Sequence, residues 1–260
     1  MGILNLSPES FYKKTIVSER SSIQGLVQSM EEEGADIIDI GAASTAPSNV
    51  YDTSIISERK ELERIKSALK YITDITNLPL SIDTVSSEVA KTALDMGVSM
   101  INDVSGLKAN PEMATLATTK GSPVVLMANC KPPCGSVSIA LKALEESHNT
   151  AINVGIEREK IVLDPGIGFG KPANVDFDIL GNLHLFTRFD QPLLVGVSRK
   201  AFIGTLLNQE NPEDRLAGSL AATTIAVYNG ADMIRTHDVR ETKMAVTIGE
   251  TALRAIDTGE

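Results

Sequence analysis

Short apolar segments alternate with longer segments of helical period along the whole 260-residue chain. Eight apolar segments occur, and most are rich in Val, Ile and Leu on both faces, which is typical of buried parallel strands. In chain order they are GILNL (2–6), ADIIDIG (35–41), LPLSID (78–83), VSMIND (98–103), SPVVLMAN (122–129), KIVLDPG (160–166), QPLLVGVS (191–198) and GADMIRTHD (230–238). Eight strand–helix units in about 250 residues predict an α/β fold, a (β/α)8 TIM barrel. A doubly wound open sheet is the alternative.

The helical segments carry recognisable start signals. One helix is predicted from about Ser57 to Thr73, and another begins at Ser86 or Ser87. No linker, low-complexity segment or charge block divides the chain, so we expect one domain over residues 1–260.

Charge and hydropathy exclude several classes of function. The formal net charge of −10 argues against binding to nucleic acids or anionic membranes. The hydrophobic fraction of 42% is typical of a globular protein. No apolar run approaches the roughly 20 residues of a membrane span. The first residues lack the basic region of a secretory signal, so we expect a cytoplasmic protein.

The cysteines and two of the histidines carry no evident chemistry. Cys130 and Cys134 stand in CKPPC, and neither a second cysteine pair nor a nearby histidine completes a zinc site. Without an export signal, we expect them to be reduced, incidental thiols of a loop. His148 and His184 fall in helical segments and are expected to be solvated.

Polar side chains stand at the carboxyl end of nearly every predicted strand. They are Asn5, Asp39, Asp83, Asn102, Asp103, Asn129, Asp164, Ser198 to Lys200, Arg235, His237 and Asp238. In a barrel this edge is the catalytic face, where all eight strand ends converge. Helix capping can explain two or three Asp or Asn residues, but not a set that also contains Lys, Arg and His. We therefore expect a polar active site there.

The glycine-rich segment GIGFGK (166–171) follows a strand but matches no nucleotide motif. Its spacing is not G-x-G-x-x-G, and a P-loop needs four residues between its first Gly and Gly-Lys. Its glycines instead favour close approach of the backbone to a flat ligand.

Seven ordered segments together resemble the dihydropteroate synthase family. They are MGILNLSPESF (1–11), GADIIDIGAASTAP (34–47), SIDT (81–84), MINDVSG (100–106), IVLDPGIGFGK (161–171), VGVSRKAFIG (195–204) and IRTHDV (234–239). The resemblance covers all eight strand ends. It implies a (β/α)8 barrel that joins a pterin diphosphate to an arylamine, and the wider superfamily adds pterin-dependent methyltransferases that work with a corrinoid protein.

The resemblance implies a pterin pocket made of Asp83, Asn102, Met127, Asp164, Phe169 and Lys200. A pterin has the donor and acceptor edge of a guanine, so carboxylates would face its N–H groups and the Lys200 ammonium its carbonyl. Met127 and Phe169 would sandwich the ring. For Met127 a place in the core is an equally good interpretation.

The leaving pyrophosphate would be held by Asn5, Arg235 and His237, with Mg²⁺ near Asn5. The resemblance thus makes Lys200, Arg235, His237 and Asp83 the catalytic candidates. Arginine offers a planar fork to phosphate oxygens, and an imidazolium and Mg²⁺ would stabilise the departing charge. Alternation along a strand predicts that Arg235 and His237 point the same way.

The departures from the family pattern fall on residues near the second substrate. Lys13 stands where the family usually has Asp, and Ala43 and Ala46 replace the usual Glu and Arg of the second loop. Ala201 replaces a Ser that helps to hold the carboxylate of p-aminobenzoate, and Asn129 takes the place of a usual His.

Three hypotheses follow from this pattern. A synthase could use another arylamine, such as a ribofuranosyl-aniline phosphate, with Lys13 and Lys14 as phosphate contacts. It could also be an ordinary p-aminobenzoate enzyme, or a methyltransferase with a corrinoid partner. The retained Asn5, Arg235 and His237 favour a synthase, because methyl transfer has no pyrophosphate to bind. The resemblance also implies a homodimer through the C-terminal segment 241–256.

Overall fold

The computed structural model describes residues 1–7, 19–43 and 56–257, where eight strands alternate with α-helices. The strands are β1 (Gly2–Asn5), β2 (Ile38–Gly41), β3 (Leu80–Asp83), β4 (Met100–Asp103), β5 (Val124–Met127), β6 (Ile161–Asp164), β7 (Leu194–Val195) and β8 (Met233–Ile234). The helices are α1 (Arg20–Glu32), α2 (Glu58–Ile72), α3 (Ser87–Asp95), α4 (Pro111–Lys120), α5 (Val137–Asn153), α6 (Ala173–Gly181), α7 (Ala201–Leu207), α8 (Leu216–Tyr228) and α9 (Val239–Asp257). Every predicted strand is present, but each is shorter than the apolar segment that predicted it.

The strands close into a parallel barrel. β1 to β6 form one sheet in chain order, and β7 pairs with β8. Isolated bridges from Leu163 to Leu193 and from Gly2 to Thr236 join these two sheets at both edges. The closed ring confirms the predicted barrel and excludes the open sheet.

Strand alternation divides the barrel interior into an apolar floor and a polar mouth. The floor is the small cluster of Val125, Val162 and Leu194, packed with Met1, Met100 and Met233. Because alternate residues of a strand share a face, residues two positions further along point into the same interior. Those next residues are Asn102, Met127, Asp164, Gly196 and Arg235.

The helices cover the outside of the sheet through the larger apolar cluster. Ser57 Oγ caps α2 by accepting from the Lys60 amide at 3.4 Å, and Ser86 Oγ caps α3 by accepting from the Val89 amide at 3.2 Å. Both helix starts agree with the sequence prediction. Among the described residues, no helix combines the length and the apolar character needed to cross a bilayer.

Two expectations about isolated residues are wrong. Cys130 and Cys134 form a disulfide, because the chain between them turns back and brings their Cα atoms to 5.2 Å, a distance that a disulfide spans. His148 is buried on the inner face of α5, with its ring 5.7 Å from that of Phe189. His184 is exposed, as expected.

Candidate active site

Arg235 is the centre of a first cluster at the barrel mouth. Its Nε donates to Asp39 Oδ2 at 2.7 Å and its Nη2 donates to Asp83 Oδ2 at 2.8 Å. Asn102 Nδ2 also donates to Asp39 Oδ2, at 3.0 Å. Burial disfavours the charged guanidinium, but the two carboxylates outweigh it and raise the pKa of Arg235. The first cluster therefore keeps a permanent cation between two carboxylates.

Asp39 belongs to this cluster; the sequence placed it on the expected polar face, but not among the residues expected to bind the pterin or the pyrophosphate. Its side chain is fully buried, and its Oδ1 has no hydrogen-bond partner among the described residues. An unpaired buried carboxylate oxygen is costly, so its retention beside Arg235 indicates a functional position. The available signal was its place on β2, two residues before the strand ends at Gly41 and on the same face.

Lys200 and Asp164 form a second cluster, at the ends of β6 and β7. Lys200 Nζ donates to the Ile167 carbonyl and lies 4.6 Å from the ring centroid of Phe169. Burial lowers the pKa of Lys200 to about 8, although Asp164 opposes this shift. Burial also raises the pKa of Asp164, against the attraction of Lys200 and the Gly166 amide. Both partners are thus closer to their neutral forms than an exposed pair would be.

The glycine-rich turn passes close to this second cluster because two of its residues lack side chains. Gly166 and Gly168 have φ values of 71° and 78°, which favour glycine. A Cβ on Gly168 would overlap the Lys200 side chain. Behind the turn, the buried Lys171 donates to the Gly166 carbonyl, and Asp176 Oδ1 accepts from the Gly168 amide at 2.7 Å. These outer contacts fix the turn that carries Phe169.

The two residues expected to sandwich a ring differ in exposure. Phe169 is half-buried at the opening, whereas Met127 is buried beneath Gly166. The structure thus places Phe169 at the mouth and Met127 in the packed interior just below it.

His237 contacts the turn that follows β7. Ser198 Oγ lies 3.0 Å from His237 Nδ1 and also accepts from the His237 backbone amide at 3.2 Å. A hydroxyl has one donor and two acceptor sites, so this contact fits either tautomer of the neutral ring. Burial, together with the positive charges of Arg235, Arg199 and Lys200, lowers the pKa of His237 well below its ordinary value. This lowered pKa favours a neutral ring at pH 7 rather than the expected imidazolium.

Arg235 and His237 lie at the same end of the barrel but contact different strands. Arg235 reaches β2 and β3 through Asp39 and Asp83, whereas His237 reaches the turn after β7. Alternation predicted that the two side chains point the same way, but it did not predict that their partners lie on different strands.

Asn5 lies beside the first cluster, at the end of β1. It is in register with Gly41, which is in register with Asp83. A Cβ on Gly41 would lie 3.8 Å from Asn5 Oδ1 and 3.9 Å from Asp83 Oδ2. The missing side chain leaves room between an amide oxygen and a carboxylate oxygen.

The residues expected near a second substrate are only partly described. Lys13, Lys14 and Ala46 lie outside the described residues. Ala43 and Asn129 line a cavity of about 780 Å³ beside the mouth. Ala201 is the first residue of α7, directly after Lys200.

Comparisons with known proteins agree with this arrangement. The family model described as pterin binding enzyme matches residues 1–237. The dihydropteroate synthase of Clostridium beijerinckii is 36% identical over 257 residues, which cover 98% of this chain and 94% of the relative. The structure of the Coxiella burnetii dihydropteroate synthase with pteroic acid is 34% identical at a TM-score of 0.88, covering 97% and 92% of the two chains. The structure of the Xanthomonas albilineans dihydropteroate synthase with 4-aminobenzoic acid is 34% identical at a TM-score of 0.86. The match covers 96% of this chain and 91% of that one. The chain therefore belongs to the dihydropteroate synthase family of pterin-binding enzymes and is a transferase of that type.

Proposed function

We propose that this transferase joins 6-hydroxymethyl-7,8-dihydropterin diphosphate to p-aminobenzoate and releases pyrophosphate. The observation that carries the proposal is the pair of clusters at one barrel mouth. Lys200 and Asp164 beside Phe169 suit a flat ring with donor and acceptor edges, whereas the permanent cation Arg235 suits an anion.

The second cluster would bind the pterin together with Asp83 and Asn102 of the first cluster. Asp164 and Asp83 accept hydrogen bonds from ring N–H and amino groups, and Lys200 donates to the ring carbonyl. Phe169 covers the ring at the opening. Burial supports this assignment, because hydrogen bonds to ionised groups are stronger where water is excluded.

Arg235 and His237 would bind the diphosphate. A guanidinium has five N–H donors, and the two bonds from Arg235 to Asp39 and Asp83 leave others for phosphate oxygens. The neutral His237 would contribute a hydrogen bond rather than a full charge. In the reaction the C–O bond to the diphosphate breaks and its electron pair leaves with pyrophosphate. The amine nitrogen then bonds to the cationic methylene carbon and loses a proton. Positioning and charge stabilisation carry most of the catalysis.

Mg²⁺ fits this site as a partner of the diphosphate. Among residues 1–7, 19–43 and 56–257, no group of three or more His, Cys, Asp or Glu side chains is arranged to hold a metal. Mg²⁺ is commonly held by few protein groups together with substrate phosphates and water. Asn5 Oδ1, which borders the space beside Gly41, would be its protein ligand. Bound there, Mg²⁺ would neutralise charge on the departing diphosphate.

The choice of p-aminobenzoate is supported by the Xanthomonas albilineans relative, solved with 4-aminobenzoic acid. The departure at Ala201 favours the competing ribofuranosyl-aniline phosphate. No contact of the described residues supports a corrinoid partner.

The test is release of pyrophosphate from the dihydropterin diphosphate with Mg²⁺ and each amine in turn. We expect release that depends on p-aminobenzoate and a higher kcat/KM for it than for the ribofuranosyl-aniline phosphate. Release with only the phosphorylated amine would correct the choice of amine. Pterin binding without turnover on either amine would overturn the synthase proposal.

A homodimer through the C-terminal helices completes the proposal. Exposed apolar side chains cluster on α7, α8 and α9, and these are Leu206, Leu207, Ile225, Tyr228, Met244 and Ile248. In sedimentation analysis we expect a dimer that Ile248→Glu dissociates. A cytoplasmic location stays a prediction from the sequence.

A further inference from the structure

The last two strands are the weakest part of the barrel wall. β7 and β8 contain two residues each, whereas each of the other six strands contains four. Beyond this short ladder, the Arg235 amide donates to the Val195 carbonyl at 3.0 Å. The segments that follow carry Lys200 on one side and His237 on the other. Side-chain contacts therefore hold these segments together.

Arg199 and Asp238 make the strongest of those contacts. Arg199 Nε donates to Asp238 Oδ2 at 2.8 Å and Nη2 donates to Oδ1 at 2.7 Å, which is a bidentate pair. The side chains are 5% and 14% exposed. Each partner is the direct neighbour of a candidate site residue, because Arg199 precedes Lys200 and Asp238 follows His237.

The backbone of Arg199 is fixed as firmly as its side chain. Its φ is 55°, a left-handed conformation that is unfavourable for a residue other than glycine. Its amide donates to Ser219 Oγ at 2.7 Å, and its carbonyl accepts from Arg215 Nη1 at 3.1 Å. Arg199 Nη1 also donates to the carbonyls of Pro212 and Glu213, at 2.9 and 2.8 Å. These hydrogen bonds hold the left-handed turn at Arg199 in place, and the turn sets the direction in which the next residue, Lys200, points.

We propose that Arg199 and Asp238 form a clamp that positions Lys200 relative to His237. Neither clamp residue touches the substrate, so both are positioning residues. The inference rests on the proposed function, in which Lys200 contacts the pterin ring and His237 the diphosphate of the same molecule. Holding both groups at a fixed separation lets one ligand engage them together, which binds it far more tightly than two separate fragments.

The experiment compares one whole ligand with its two halves. Dissociation constants are measured by calorimetry, with Mg²⁺ and without arylamine, for the dihydropterin-6-ylmethyl diphosphate, for 6-hydroxymethyl-7,8-dihydropterin and for pyrophosphate. The variants are Asp238→Asn, which keeps the shape and removes the charge, and Arg199→Lys, which keeps the charge and removes the fork. Leu69→Ala, in the fully buried core of α2, is the control for lost stability alone.

We expect each clamp variant to weaken binding of the whole ligand about 10- to 100-fold, and binding of each half less than about threefold. In Leu69→Ala all three constants should stay within about threefold at a similar drop in the unfolding midpoint. Equal losses for the halves and the whole, or no loss, would overturn the clamp. If Asp238→Asn does not fold, Arg199→Lys decides. Wild-type protein that binds neither half would overturn the proposed function and this inference with it.

Discussion

Two clusters of titratable side chains lie at the barrel mouth, and the pKa of the central cation is shifted in opposite directions in the two. Around Arg235, the carboxylates of Asp39 and Asp83 raise the pKa of the cation. Around Lys200, burial outweighs Asp164 and lowers the pKa of the cation to about 8. The difference arises from geometry: a guanidinium can bond both carboxylates at once, whereas Lys200 Nζ donates to a backbone carbonyl.

The comparison teaches that one mouth can hold two kinds of site. In the proposed function, a cation that never titrates would offer the diphosphate the same donors at every pH. A Lys–Asp pair near neutrality gives a donor and an acceptor that a ring can satisfy, at a smaller desolvation cost than a fully ionised pair. Variants of the Arg235 cluster and of the Lys200–Asp164 cluster test whether the two clusters bind different parts of the ligand.

The largest effect is expected for Arg235→Ala. Removing this cation takes away the guanidinium that bonds the buried carboxylates of Asp39 and Asp83, which should lower the free energy of unfolding by about 3–5 kcal/mol. Urea denaturation measures this loss. Adding Asp39→Asn should restore part of the stability but not pyrophosphate binding, and the pterin ring should still bind. If stability and both ligands were lost together and not recovered, Arg235 would be structural only.

Asp164→Asn should act on the second cluster alone. A lost bond to an ionised acceptor is worth about 1.5–3 kcal/mol, so the affinity for 6-hydroxymethyl-7,8-dihydropterin should fall about 10- to 150-fold. Stability should change little, because the amide oxygen of asparagine can still accept from the Gly166 amide, as Asp164 Oδ1 does at 2.7 Å. Calorimetry measures the pterin affinity, with pyrophosphate as the control ligand. An unchanged pterin affinity would remove Asp164 from the pocket.

The pKa of Lys200, lowered to about 8, gives opposite pH dependences for binding and stability. Pterin affinity should fall as the pH rises through 8, because the ammonium donor is lost. Stability should instead rise between about pH 8 and the ordinary lysine pKa of about 10.4, since the unfolded chain binds more protons there. Calorimetry and urea denaturation from pH 7 to 10 measure the two trends. Lys200→Arg is the control, because a guanidinium does not titrate in this range: both trends should flatten in this variant, and unchanged slopes would show that Lys200 is not their source.

Strand periodicity was sufficient to predict the barrel. A strand buried on both faces is a continuous apolar run, and eight of them with intervening helices leave few alternatives. The same periodicity could not show which of the strand-end residues lie at the centre of the candidate site. Asp39 is central because it bonds Arg235 and Asn102, which come from other strands, and no sequence pattern gives those partners.

Charge states depended on neighbours from distant parts of the chain. The neutral state of His237 results from burial and from Arg235, Arg199 and Lys200, which come from two different strand ends. The Cys130–Cys134 disulfide depended on a Cα separation that spacing in the sequence does not give. Motif matching therefore located these residues, while their protonation and pairing required the folded structure.

The smallest effect is expected at the border of the second cluster, for Ala201→Ser. Ala201 begins α7 directly after Lys200, where the family usually has a serine that helps to hold the carboxylate of p-aminobenzoate. One added hydrogen bond to a carboxylate is worth about 1.5 kcal/mol at the lower end of its range, so the KM for this amine should fall about tenfold with kcat unchanged. Steady-state pyrophosphate release measures both constants, and Ala201→Cys, which is similar in size but a weak donor, is the control. An equal change with both variants would show that side-chain volume, and not the added donor, sets the affinity. Ala201→Ser could instead leave the kinetic constants for p-aminobenzoate unchanged and raise the KM for the phosphorylated amine. Position 201 would then distinguish between the amines by excluding one of them. The second cluster would then set the choice of amine as well as the binding of the ring.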